Sequence, residues 1–203
     1  MMIFISGGVK GGKSMFAQFI AKYLHEREPG SKLCYFATMI PMDAEDNKRI
    51  QRHIKDRSGW GFETVEEGKN IPNVFSRLKG NEIVLFDSVT ALVQNNIFSG
   101  EKPDLDFDAE RIANDFSKLG KKTKHLVIVS DYIFSDALQY DDLTDFYREK
   151  LGKVHCIIAA EADVVLECSF SNIREWKKTN ALELTEIKRR YYKVCDHLKY
   201  GDI

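Results

Sequence analysis

Eight residues near the start of the chain, Gly7, Gly8, Val9, Lys10, Gly11, Gly12, Lys13 and Ser14, satisfy the pattern G-x-x-x-x-G-K-[ST]. Glycines let successive backbone N–H groups turn toward one centre and let the chain approach phosphate oxygens with no Cβ in the way. Lys13 can then reach the β- and γ-phosphates of a nucleoside triphosphate. Ser14 can hold Mg2+ through its hydroxyl, and a following helix adds the positive end of its dipole. Such a metal needs a further oxygen ligand from a neighbouring strand, and Asp87 follows four apolar residues in EIVLFD, the arrangement of a Walker-B acid. A Gly-rich turn with an incidental lysine has the same composition, and an acid at a strand end is common. The flanking pattern and the pairing of the two favour nucleotide binding.

A second constellation lies in residues 42–60, where Glu45, Arg49, His53 and Arg57 recur at every fourth position. On a helix all of them share one face. Two readings stay open on spacing alone. One is an exposed ion-pair ladder that happens to include His53. The other is an imidazole flanked one turn away on either side by guanidinium groups, which bind phosphate oxygens bidentately. A histidine so placed can attack a nucleotide α-phosphate while the arginines stabilise charge on the transferring group.

These groups need a frame, and the chain supplies one. Short apolar runs rich in β-branched and aromatic residues recur at residues 2–6, 33–37, 82–87, 125–130 and 162–168, with helix-like stretches between them. Near-continuous apolar strands alternating with helices predict an α/β fold with a mostly parallel sheet covered on both faces. Phe16, Ile20 and Leu24 recur at helical spacing and predict an amphipathic helix that stops near Pro29 and Gly30, so the glycine loop joins a strand to a helix. Residues 98–108 read as an exposed loop. The last stretch predicts a return strand over 173–177 and a helix capped by Asn180 with Glu183. Its apolar stripe is Leu184, Ile187, Tyr191, Val194 and Leu198. The chain therefore divides into a nucleotide-binding domain, residues 1–177, and an amphipathic helical extension, residues 178–203.

Composition narrows the classes further. With 203 residues, 43% of them hydrophobic, the chain can bury a core as a single domain. Thirty Lys and Arg stand against 31 Asp and Glu, which gives no overall bias toward nucleic acid or an anionic membrane. Any anion site is therefore local. The cysteines, Cys34, Cys156, Cys168 and Cys195, form no C-x-x-C pair, which argues against a zinc cluster or a redox motif and fits reduced cytoplasmic thiols. No run approaches the ~20 apolar residues that span a bilayer, and the start lacks the features of a signal peptide. His25, His125, His155 and His197 have no second ligand at metal-binding spacing and read as surface or core histidines.

The segments GGVKGGKS, YFAT, DAEDNKRIQRH, TVEE, FDSVT and FYREKLGKVH stand in the order and approximate spacing of the bifunctional adenosylcobinamide kinase/adenosylcobinamide-phosphate guanylyltransferases of cobalamin assembly. The chain resembles that family over residues 1–177. The resemblance implies a P-loop, RecA-like sheet. It also implies a reaction pair in which a nucleoside triphosphate, ATP or GTP, phosphorylates the aminopropanol hydroxyl of adenosylcobinamide. A histidine then takes GMP from GTP and passes it to the new phosphate. His53 falls at that histidine, the loop from Gly7 to Ser14 holds triphosphate, and Thr38, Arg57, Glu66 and Asp87 are implied nucleotide or Mg2+ contacts. A homotrimer is also implied. One segment departs from the family: residues 130–142, SDYIFSDALQYDD, lack the family's Asn-Glu pair, which has become Asp131-Tyr132, and its glycines. Asp131 reads either as an acid near phosphate or as a plain loop carboxylate. Two alternatives follow from that departure: an enzyme retaining one activity of the pair, or a nucleotide-dependent binding protein.

Overall fold

The computed structural model describes residues 1–41, 43–136, 138–170 and 172–200; the side chains of Arg49, Asp56 and residues 196–200, including His197 and Leu198, lie outside the described residues. Strands are β1 (Met2–Gly7), β2 (Lys32–Ala37), β3 (Glu63–Glu66), β4 (Glu82–Asp87), β5 (His125–Asp131), β6 (Val164–Ser169) and β7 (Asn172–Lys177). They form one seven-stranded sheet in the order β3-β2-β4-β5-β1-β6-β7. All neighbours pair in parallel except β6 and β7. The helices are α1 (Lys13–Arg27), α2 (Ala44–Asp56), α3 (Val89–Phe98), α4 (Ala109–Lys122), α5 (Asp142–Glu161) and α6 (Leu184–Tyr200), with a short 3-10 helix at Ile71–Arg77.

Alternation along the strands divides the core into two layers. Ile3, Ile5, Leu33, Ile83, Leu85, Val127 and Val129 face α1 and α6, where they meet Phe16, Ile20, Leu24 and Ile187. Phe4, Phe36, Val84, Phe86, Leu126 and Ile128 face the other way, against α3, α4 and α5. Because both faces are covered, the central strands read as unbroken apolar runs, which made them visible in the sequence.

Two details differ from the sequence expectation. Strand β3 carries one buried residue, Val65, and pairs at the sheet edge, so it has no apolar run to announce it. Asn180 does not cap α6: the helix begins at Leu184, and Glu183 instead accepts the Tyr23 hydroxyl at 2.9 Å and pairs with Arg27 at 3.0 Å. The C-terminal helix is thereby tied to α1, and Tyr191 sets its ring edge-on to Phe16 and Phe19 at 4.9 and 5.8 Å between centroids. No described helix is long and apolar enough to cross a membrane.

Candidate active site

The glycine loop leaves β1 at Gly7 and closes on itself where the Gly11 N–H donates to the Gly8 carbonyl at 3.1 Å. Gly12, at φ +88°, turns the chain into α1 in a left-handed conformation that a side chain would strain. Gly7 has a different reason to lack a side chain: a Cβ there would collide with the Cys168 carbonyl of β6. The first turn of α1 has no side-chain cap, so its N–H groups are available to an anion. Lys13 curls back, donating from Nζ to the Gly8 carbonyl at 3.2 Å and lying 2.5 Å from Asp131 Oδ1. Gly8, Val9 and Lys10 are exposed.

Parallel strands present their carboxyl ends at one edge of the sheet, where α/β proteins bind ligands. Asp87 ends β4 on the face shared by Ile83 and Leu85, the α1 face. Its Oδ2 accepts the Tyr35 hydroxyl at 3.0 Å. Thr38, fully buried, receives the Ser88 N–H at 2.7 Å on its hydroxyl and donates that hydroxyl to the Ser88 carbonyl at 2.8 Å. Its hydroxyl is thus committed to the end of β4, and it does not line the cleft described next.

A cleft of about 840 Å³ opens at this edge. It is lined by Lys13 and Ser14 from the loop, Asp87 and Asp131 from the strand ends, Glu66 from β3, and His53 and Arg57 from α2. Residues far apart in sequence therefore meet in one cavity large enough for a nucleotide. Helix α2 is started by Asp43, whose carboxylate accepts the Glu45 and Asp46 N–H groups at 2.8 Å each. Asn47, Ile50, Gln51 and Ile54 also face the cleft, while Glu45 is exposed and is not among the lining residues. Arg57 closes the helix; its guanidinium stacks 4.0 Å above the Tyr35 ring and donates to Thr64 Oγ1 at 3.3 Å. Stacking leaves the edge N–H groups of a guanidinium able to meet phosphate.

Tyr35 was not legible as a site residue. Its neighbours in CYFA mark a buried strand, and only the pairing of β2 with β4, which sets Ala37 opposite Asp87, brings it beneath both Arg57 and Asp87. From the sequence Asp131 reads either as an acid near phosphate or as a plain loop carboxylate. In the structure it is the last residue of β5, buried and paired with Lys13.

Behind the loop, on the opposite face, Ser130 Oγ lies 2.6 Å from His155 Nε2 and 2.9 Å from Thr90 Oγ1. Burial pushes His155 down to about 4, with the Asp131 charge opposing that shift. The unfolded chain takes up a proton here below about pH 6.5, and the folded one does not until near pH 4. This contribution to stability is fully present above about pH 6.5 and is lost as pH falls toward 4, by up to about 3 kcal/mol. His155→Gln is expected to flatten the acid side of a melting-temperature profile across that window; an unchanged slope would show that other groups carry it.

The loop entering a helix beneath a parallel sheet, with an acid ending the strand two positions away in the sheet order, defines a P-loop nucleotide-binding protein. Within that class, the chain belongs to the cobinamide kinase / cobinamide phosphate guanyltransferase family, whose model matches residues 3–170. Curated relatives include the bifunctional adenosylcobalamin biosynthesis protein CobU of Escherichia coli K12, 26% identical over 176 residues that cover 81% of this chain and 93% of the relative. Its counterpart from Salmonella typhimurium LT2 matches with the same identity and coverage. Among solved structures, the flagellar accessory protein FlaH from Methanocaldococcus jannaschii is similar at a TM-score of 0.48 and 14% identity, over 89% of this chain and 79% of that one.

Proposed function

We propose that the chain carries out both steps of its family's chemistry, phosphorylating adenosylcobinamide with ATP or GTP and then transferring GMP from GTP to the product through His53. The observation that carries this reading is the shared cleft: Lys13, Ser14, Asp87, His53 and Arg57 line one cavity. Phosphoryl transfer depends mainly on positioning and charge stabilisation, which fits Lys13 and the uncapped first turn of α1. For the second step His53 supplies a nucleophilic ring nitrogen and Arg57 a guanidinium lining the same cleft, a combination that stabilises a phosphoryl centre under attack.

The residues present fit Mg2+. This ion prefers one or two protein oxygens, with phosphate oxygens and water completing an octahedron. Ser14 and Asp87 both line the cleft, and no cluster of three or more metal-ligating His, Cys, Asp or Glu side chains competes for the role among the described residues. When bound with the nucleotide, the ion supplies neutralising charge to the phosphates.

Among the described residues of 130–142, the segment that departs from the family, Asp131 alone lines the cleft. The change therefore alters one lining position and leaves Lys13, Ser14, Asp87, His53 and Arg57 in place, which supports retention of nucleotide chemistry over a single-activity or binding-only reading. The test supplies adenosylcobinamide with ATP, GTP and Mg2+ and separates corrinoid products by chromatography. Successive appearance of the phosphate and the GDP-linked corrinoid is expected. Tight GTP binding without either product would overturn the proposal in favour of a binding protein.

A further inference from the structure

We propose that Asp131 is the proton acceptor for the attacking hydroxyl in the kinase step, occupied by Lys13 until a triphosphate engages that lysine. This rests on the kinase reading above. The β1–β5 register sets Asp131 directly opposite Gly7, the first residue of the phosphate loop. Its backbone is fixed on both sides: its N–H donates to Thr90 Oγ1 at 2.7 Å, and the next N–H, from Tyr132, donates to the Gly7 carbonyl at 2.8 Å. Alternation along β5 puts its side chain on the α1 face with Val127 and Val129, whereas Ser130 turns to His155.

The side chain is 13% exposed and lines the cleft. Oδ1 lies 2.5 Å from Lys13 Nζ. Lys13 thereby compensates a buried carboxylate. Among its partners are the Gly8 carbonyl and Asp131, and in a phosphate loop this lysine meets the β- and γ-phosphates. Turning toward them, it takes its charge off Oδ1 and leaves a carboxylate beside the group being transferred. The other cleft carboxylates are placed differently: Asp87 accepts from Tyr35, and Glu66 lies on the edge strand β3, far across the sheet from β1.

In the step itself the hydroxyl oxygen forms a bond to the γ-phosphorus while the bond from that phosphorus to the β–γ bridging oxygen breaks. The electron pair of the broken bond leaves with the nucleoside diphosphate. The hydroxyl proton passes to Asp131 and from there to water. No further reagent is needed.

Asp131→Asn keeps the shape and removes the proton acceptor. In single-turnover assays with adenosylcobinamide and a triphosphate, its kinase rate is expected to fall about 10²-fold or more. Affinity for a non-hydrolysable triphosphate is expected to hold or tighten, because a negative charge has left the neighbourhood of the phosphates. GMP transfer to adenosylcobinamide phosphate supplied ready-made is expected to fall far less. Asp131→Glu, which keeps the charge balance with Lys13, is expected to retain more kinase rate than Asp131→Asn, with melting curves establishing that the compared proteins are folded. A kinase rate in Asp131→Asn equal to the parent's overturns the proposal. So does a parallel fall of kinase rate, nucleotide affinity and GMP transfer, the pattern of a structural ion pair. A parent enzyme that does not phosphorylate adenosylcobinamide at all removes the kinase reading itself, and the base assignment with it.

Discussion

Lys13→Ala loses both nucleotide-dependent activities, with rates falling by about 10²- to 10³-fold or more, the range seen when one preorganised charge-stabilising group is removed from a transfer site. The reason is positional. Lys13 is the cation from the phosphate loop that lines the cleft, at the start of a helix whose dipole adds to its effect. The same substitution also costs stability, because it strands the buried Asp131 carboxylate. Removing one member of a fully enclosed pair costs about 3–5 kcal/mol, and the cleft, which admits water, brings the expected cost to about 2 kcal/mol. The double variant Lys13→Ala with Asp131→Asn is expected to recover much of that stability while staying inactive. Turnover in the single variant at the parent rate would remove the phosphate-loop account of the site. Recovery of activity in the double variant would show that Lys13 serves only to balance Asp131.

His53→Ala, by contrast, separates the two activities. Covalent attachment of GMP and transfer of GMP to adenosylcobinamide phosphate are expected to vanish. The kinase step survives, because Lys13, Ser14 and Asp87 come from α1 and β4 while His53 comes from α2. Removing the nucleophile deletes the covalent path itself, so the fall reaches the background rate. His53→Asn gives a control that keeps polarity and helix length without the nucleophilic nitrogen. Helix α2 keeps its Asp43 cap and its Arg57 stack in both variants, so a general collapse of the helix is not expected. Loss of the kinase activity together with GMP transfer would contradict separate roles for the two groups.

The sequence showed the frame well where chemistry is local. The phosphate loop, the five apolar strands and α1 follow from short-range pattern, and all of them appear in the molecule. What stayed hidden depends on which strands become neighbours. Lys13 and Asp131 are more than a hundred residues apart and meet because β5 pairs with β1. Tyr35 reaches Asp87 because β2 pairs with β4. The acid–base stripe on α2 shows the same limit: spacing put Glu45, His53 and Arg57 in register, and only the packing of α2 against the sheet edge separates the two that line the cleft from the one that does not. Thr38 is the converse case, a residue singled out as a nucleotide contact whose hydroxyl is used within the protein, on the Ser88 backbone.

The proposed union of a phosphate loop and a nucleophilic histidine in this cleft is tested by incubating the protein with Mg2+ and GTP labelled at the α-phosphate, followed by denaturation and peptide mapping. Label is expected on the peptide containing His53, held through nitrogen, stable to mild base and released by acid. Label mapped to another residue, or label that persists in His53→Asn, would contradict it.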